Sequence, residues 1–143
     1  MRSVAALFFT FVMVACSTAP ASDQAQPQNV TVNPTVELLL TASASDFQSH
    51  RPPYPARFRD VRSGYVVTAE GTNQYLICGE FLPAPENSDS KPEWTAFATI
   101  KTSGYEQWIG GQAATFCKRP SVTWDEGDLS SAMQSHLDSL RSQ

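Results

Sequence analysis

The pattern of hydrophobic and polar positions changes period several times along the chain, and each change marks an element. Val4 to Ala15 is an almost unbroken apolar run, interrupted by Thr10 and preceded by Arg2. At about a dozen residues it is too short to cross a bilayer of ~30 Å as a helix, so it reads as the core of an export signal over residues 1–15. Between Ser17 and Asn33 the pattern disappears, leaving Ser, Ala, Gln and Pro with little charge and no aromatic residue. Such a stretch cannot bury enough apolar surface to offset its ordering entropy. It reads as a tether over residues 16–33, reaching roughly 20–25 Å as a coil.

A helical period starts at Asn33-Pro34, a capping residue followed by proline at the first helical position. Val36, Leu39, Leu40, Ala44 and Phe47 keep that spacing, with Leu38 off the stripe, until Pro52-Pro53 closes the helix. RPPYPARFRDVRS follows no period and reads as irregular. Strand composition begins at Gly64–Ala69, turns through Glu70-Gly71-Thr72-Asn73 and returns over Gln74–Glu80. Pro83 to Pro92 is a Pro-rich acidic loop, and Trp94–Lys101 alternates as a third strand. Tyr105–Ile109 and Gln112–Phe116 read as a fourth and fifth strand split by Gly110-Gly111. Thr123 and Glu126 stand at capping-box spacing before Leu129, Ala132, Met133, Leu137 and Leu140, which predicts a C-terminal amphipathic helix. A small antiparallel sheet of about four to five strands flanked by two helices is an α+β domain, here over residues 34–143.

The seam between the apolar run and the tether carries Met13-Val14-Ala15-Cys16-Ser17. This resembles the lipobox of bacterial lipoproteins, an aliphatic residue and two small residues before cysteine. The resemblance implies that Cys16 becomes the first mature residue and carries palmitate-type acyl chains, with two or more chains giving stable anchoring. Ser17 is not the aspartate of inner-membrane retention, so the same resemblance implies the outer membrane, facing the periplasm. The alternative is an ordinary secretory signal cut near Ala19 to Ala21. Three cysteines is an odd number for an exported chain. Lipidation of Cys16 leaves Cys78 and Cys117, which an oxidising compartment favours joining as a disulfide; the alternative is two buried thiols.

The centre of the chain carries a second likeness. Pro55-Ala56-Arg57-Phe58-Arg59-Asp60-Val61, with Tyr75-Leu76-Ile77-Cys78-Gly79-Glu80-Phe81 after it, resembles uncharacterised small exported proteobacterial proteins with an F-R-x-V … C-G-x-V pattern. The chain departs from them by lacking the Asp-Pro before this stretch and by its longer acidic loop. The resemblance implies a fold and carries no catalytic role.

Net charge is −4, which gives no electrostatic reason to expect nucleic acid, so membrane attachment falls to the lipid. No motif for a cofactor occurs, and no G-x-S-x-G is present. Asp46 and His50 on the first helix, with His136 and Asp138 on the last, would supply metal ligands only if those helices met there, and no spacing requires it. No metal is therefore assigned. Glu80 with Glu93 is the carboxylate pair a hydrolase would need. Arg57 and Arg59 flank Phe58, so in extended chain both point away from it. They either grip an acidic partner or anionic glycan, or lie in solvent and pair with Glu80, Glu86 or Asp89. Trp94, Trp108 and Trp124 are either recognition surface or core. The candidate binding residues are thus Arg57, Arg59, Trp94 and Trp108. The reading is a lipid-anchored envelope protein with a non-catalytic binding or structural role toward an envelope protein or the cell wall. An inhibitor of a wall-degrading enzyme, or a minor hydrolase, are the alternatives.

Overall fold

The computed structural model describes residues 33–50, 54–85, 87, 89 and 91–143. The export signal, Cys16 and the tether up to residue 32 lie outside the described residues. The elements run α1 (Pro34–Ser49), β1 (Pro55–Val67), β2 (Asn73–Pro83), β3 (Thr95–Lys101), β4 (Tyr105–Ile109), α2 (Gly111–Cys117), β5 (Thr123–Trp124) and α3 (Ser130–Arg141). The strands form one antiparallel sheet in the order β4-β3-β2-β1-β5. The fold is α+β, with helices flanking a five-stranded sheet. Among the described residues no helix is long and apolar enough to cross a membrane.

Helix α1 starts where the sequence places it, with the Asn33 side chain accepting from the Thr35 N–H at 2.8 Å and Pro34 beginning the first turn. Its stripe of Val36, Leu39, Leu40, Ala44 and Phe47 packs on one face of the sheet beside Met133 and Leu137 of α3. Phe58, Val61, Ile77, Phe81 and Phe97 rise from the strands to meet them. Phe47 is the centre of this layer, with ring centroids 4.9 to 5.4 Å from Phe81, Phe97 and Phe58. Tilted and edge-on geometries of this kind add to plain area burial.

The opposite face carries a second, smaller core of Leu76, Cys78, Ala98, Ile100, Ala113, Phe116 and Val122. Helix α2 spans only 7 residues, too few to stand alone in water. The Cys78–Cys117 disulfide, with Cα atoms 6.1 Å apart, ties its last turn to β2.

Three elements differ from the sequence reading. Gln112–Phe116 is part of a helix, not a strand, and the fifth strand is Thr123–Trp124. Helix α3 accordingly begins later, after Leu129, and Asp128, not Thr123, supplies the side-chain acceptor at its start: its carboxylate accepts from the Ser130 N–H at 2.8 Å and from the Ser130 hydroxyl. The Arg-rich stretch after residue 54 is not irregular but the first half of β1, the longest strand at 13 residues.

Strand β1 is continuous because it contains a bulge. Arg59 faces Glu80 and Arg62 faces Cys78, so three steps along β1 match two along β2. The extra residue is absorbed at Asp60–Val61, where Asp60 takes a positive φ of 53°. Asp is among the few non-glycine types that tolerate this region. The Val61 N–H donates to Ser130 Oγ at 3.1 Å, and the Leu129 N–H donates to the Val61 carbonyl at 2.7 Å. The Asp125 N–H donates to the Ser63 carbonyl, and the Ser63 hydroxyl to the Asp125 carboxylate at 2.7 Å. Residues 123–130 thus cover the outer edge of β1, a common way of blunting strand-to-strand aggregation. Two glycines permit this packing. A side chain at Gly64 would sit 2.6 Å from the Thr123 carbonyl, and one at Gly79 would meet Val61 Cγ2 at 2.8 Å.

Candidate binding face

A strand of even pleat sends residues three apart to opposite faces. The bulge at Asp60 reverses that parity, so Phe58 and Val61 both enter the helix-side core while Arg57, Arg59 and Arg62 all emerge on the opposite face. The result is a row of guanidinium groups along the half of the sheet that α1 and α3 leave uncovered.

Indole rings support the row. Arg59 Cζ lies 4.2 Å from the centre of the Trp94 ring, and Arg57 Cζ lies 5.9 Å from the same ring. Arg62 Cζ is 4.8 Å from Trp124. Beyond the disulfide, Arg119 Cζ lies 4.6 Å from Phe116. Contacts of this type are worth about 0.5–1 kcal/mol at exposed sites, and they use the flat face of the guanidinium while leaving its N–H edge free.

One acid interrupts the basic row. Arg59 Nε donates to Glu80 Oε2 at 2.7 Å, and its Nη2 reaches the same carboxylate. Asp60 Oδ2 is 3.7 Å from Arg59 Nε. Among the described residues no acidic partner pairs with Arg57, Arg62 or Lys118. A groove of about 500 Å³ beside the row is lined by Asp60, Arg62, Glu80 and Trp124 together with Ala114 of α2 and Lys118 just after that helix. Gly79, Ala96 and the two cysteines of the disulfide complete its lining.

Of the four binding candidates, Arg57, Arg59 and Trp94 come together and Trp108 stands apart. Trp108 packs edge-on to Phe116 with centroids 5.1 Å apart, as part of the second core. Trp124, weighed in the sequence as recognition surface or core, joins the face, and so does Arg62, which the sequence reading did not single out as a binding residue. The missing signal was the bulge, which alternation along RFRDVRS cannot reveal.

The histidines do not converge. His50 Nδ1 is 3.7 Å from Asp46 Oδ1 at the end of α1, whereas His136 Nε2 is 3.0 Å from Glu37 Oε1 in its first turn. Asp46 also accepts from the Tyr105 hydroxyl at 3.0 Å, and this carboxylate pushes the phenol up from its ordinary value. Among the described residues no group of three His, Cys, Asp or Glu side chains is placed to hold a metal ion. In comparisons with known proteins, no family model, curated protein or solved structure matches the chain.

Proposed function

We propose that this is an envelope lipoprotein, held at a membrane by acyl chains on Cys16, whose domain is a non-catalytic binding module for an acidic partner. The observation that carries the binding reading is the arginine row. Three guanidinium groups emerge on the sheet face turned away from α1 and α3, two indoles brace them, and among the described residues only Arg59 is paired with an acid. Like charges are not gathered on a chain of net charge −4 for stability alone, since their mutual repulsion opposes folding. The disulfide supports export, because such bonds persist in oxidising compartments. Glu80, which a paired-carboxylate hydrolase would need free, is held by Arg59, so the binding reading is favoured over hydrolysis.

Two measurements test the two halves. Cys16→Ser should move the protein out of the membrane fraction; a trimmed chain without acyl groups that still fractionates with lipid would sink the anchoring half. On a sulfated agarose matrix at low salt, the wild-type chain should be retained despite its net negative charge, and the triple variant Arg57→Gln, Arg59→Gln, Arg62→Gln should flow through. Co-elution of the two would remove the face from the proposal.

A further inference from the structure

We infer that the groove beside the arginine row is a site for an acidic glycan, a sugar polymer whose rings carry carboxylates. The inference rests on the anion-binding reading above and adds the ligand class. Arg62 and Lys118 both line the groove, and among the described residues neither is paired with an acid. Arg62 Cζ lies 4.8 Å from the centre of the Trp124 ring, a contact that steadies the guanidinium and leaves N–H groups for the two oxygens of a planar carboxylate. A preset donor loses less freedom on binding than a mobile one.

The shape of the groove points to a ring. Half of its lining is the low-bulk set Gly79, Ala96, Ala114 and the Cys78–Cys117 disulfide, which leaves room for a ring beside the charged groups. About 500 Å³ is within the range of small-ligand sites, ~300–1,000 Å³. The backbone beneath excludes the main alternative. Glu80 pairs with Ala96, and Cys78 with Ala98, so the groove lies over the face of a closed ladder and not along an edge. An extended acidic polypeptide would find no free N–H or C=O there for strand addition. Recognition has to run through side chains, which suits carboxylates projecting from a sugar backbone.

Glu80 and Asp60 set the threshold. Both carboxylates line the groove, and Glu80 fills the fork of Arg59. A single small anion meets as many fixed negative charges as free positive ones. A polymer that engages Arg62 and Lys118 together gains from two attachments at once.

The test is calorimetric titration of the full chain in detergent micelles with three probes: an oligogalacturonate, a neutral galactose oligomer of equal length and a poly-L-glutamate of equal charge. The oligogalacturonate should bind, the neutral oligomer should not, and the polyglutamate should bind about tenfold more weakly. Arg62→Gln and Lys118→Gln should each weaken oligogalacturonate binding about tenfold, the scale of one charge-assisted hydrogen bond. Glu80→Gln should tighten it severalfold, a gain that a folding defect cannot produce. Equal binding by polyglutamate, or oligogalacturonate binding unaffected by both cation variants, would overturn the glycan site. Either result leaves retention on sulfated agarose intact, so this inference and the function it rests on fail separately.

Discussion

Replacing Cys78 and Cys117 together by alanine should cost the domain a large part of its stability. The crosslink closes a loop with a sequence separation of 39 residues. In the chain-entropy model a loop of about that size removes roughly 13 cal/mol/K from the unfolded ensemble, or about 4 kcal/mol at 25 °C. Domains of this size are typically stable by only about 5–15 kcal/mol. The unfolding entropy of a domain of about 110 residues near its midpoint is roughly 0.2 kcal/mol/K, so the melting temperature should fall by about 15–20 °C. Urea unfolding followed by far-ultraviolet circular dichroism gives the free energy directly, with the wild-type chain measured oxidised and after reduction. The reduced wild type and the double alanine variant should agree to within about 1 kcal/mol, since Cys78 is buried and loses only its sulfur contacts. A further effect should be local. Helix α2 depends on the bond and on Ala113 and Phe116 for its hold on the sheet, so its amides should exchange fastest in the variant. A loss below about 1 kcal/mol, with both thiols titrating as free in the reduced sample, would refute the loop-entropy reasoning.

Gly79→Ala places a methyl group 2.8 Å from Val61 Cγ2 and 2.9 Å from Phe97 Cε1. Overpacking of this kind should cost about 1–3 kcal/mol in denaturant unfolding, and displacement of Val61 should lower retention on sulfated agarose as the bulge shifts. Asp128→Ala removes the acceptor at the start of α3 and should cost about 1 kcal/mol by the same assay. The Ser130 hydroxyl and N–H hold the Asp128 carboxyl below its ordinary range. Its contribution is therefore present above the ordinary carboxylate value and lost as pH falls through the depressed one; amide exchange at the start of α3 should accelerate on acidification in wild type and be flat in the variant. Tyr105 should be raised in a spectrophotometric titration, because its neutral hydroxyl donates to Asp46. Asp46→Ala should return it to the ordinary tyrosine range, and an unchanged curve would remove that bond from the account.

The parts of this fold legible in the sequence are those whose signals are local. Pro34 and the spacing from Val36 to Phe47 mark α1 to within a residue at its start, and Glu70-Gly71-Thr72-Asn73 marks the turn between β1 and β2. The rest fails where a tertiary contact overrules the local pattern. Gln112–Phe116 has the composition of a short strand, yet it folds as a helix whose last residue is bonded to β2. Thr123 has the spacing of a cap, yet Gly64 leaves room for it to pair as a strand beside Tyr65. For the candidate site, Arg57 and Arg59 could be placed on one surface from their spacing, and both meet Trp94. Arg62 could not, because alternation sends it to the buried side until the extra residue at the bulge is known.

The bulge has a consequence for the order in which the protein becomes competent. Val61 is secured by Ser130, 69 residues downstream, and by Leu129 beside it. Synthesis from the N-terminus therefore delivers Arg57, Arg59 and Arg62 long before the clasp that aligns them exists. The alignment of Arg62 with Arg57 and Arg59 thus waits on the last segment to be made, and a chain cut before Leu129 would lack both hydrogen bonds that hold Val61 at the bulge.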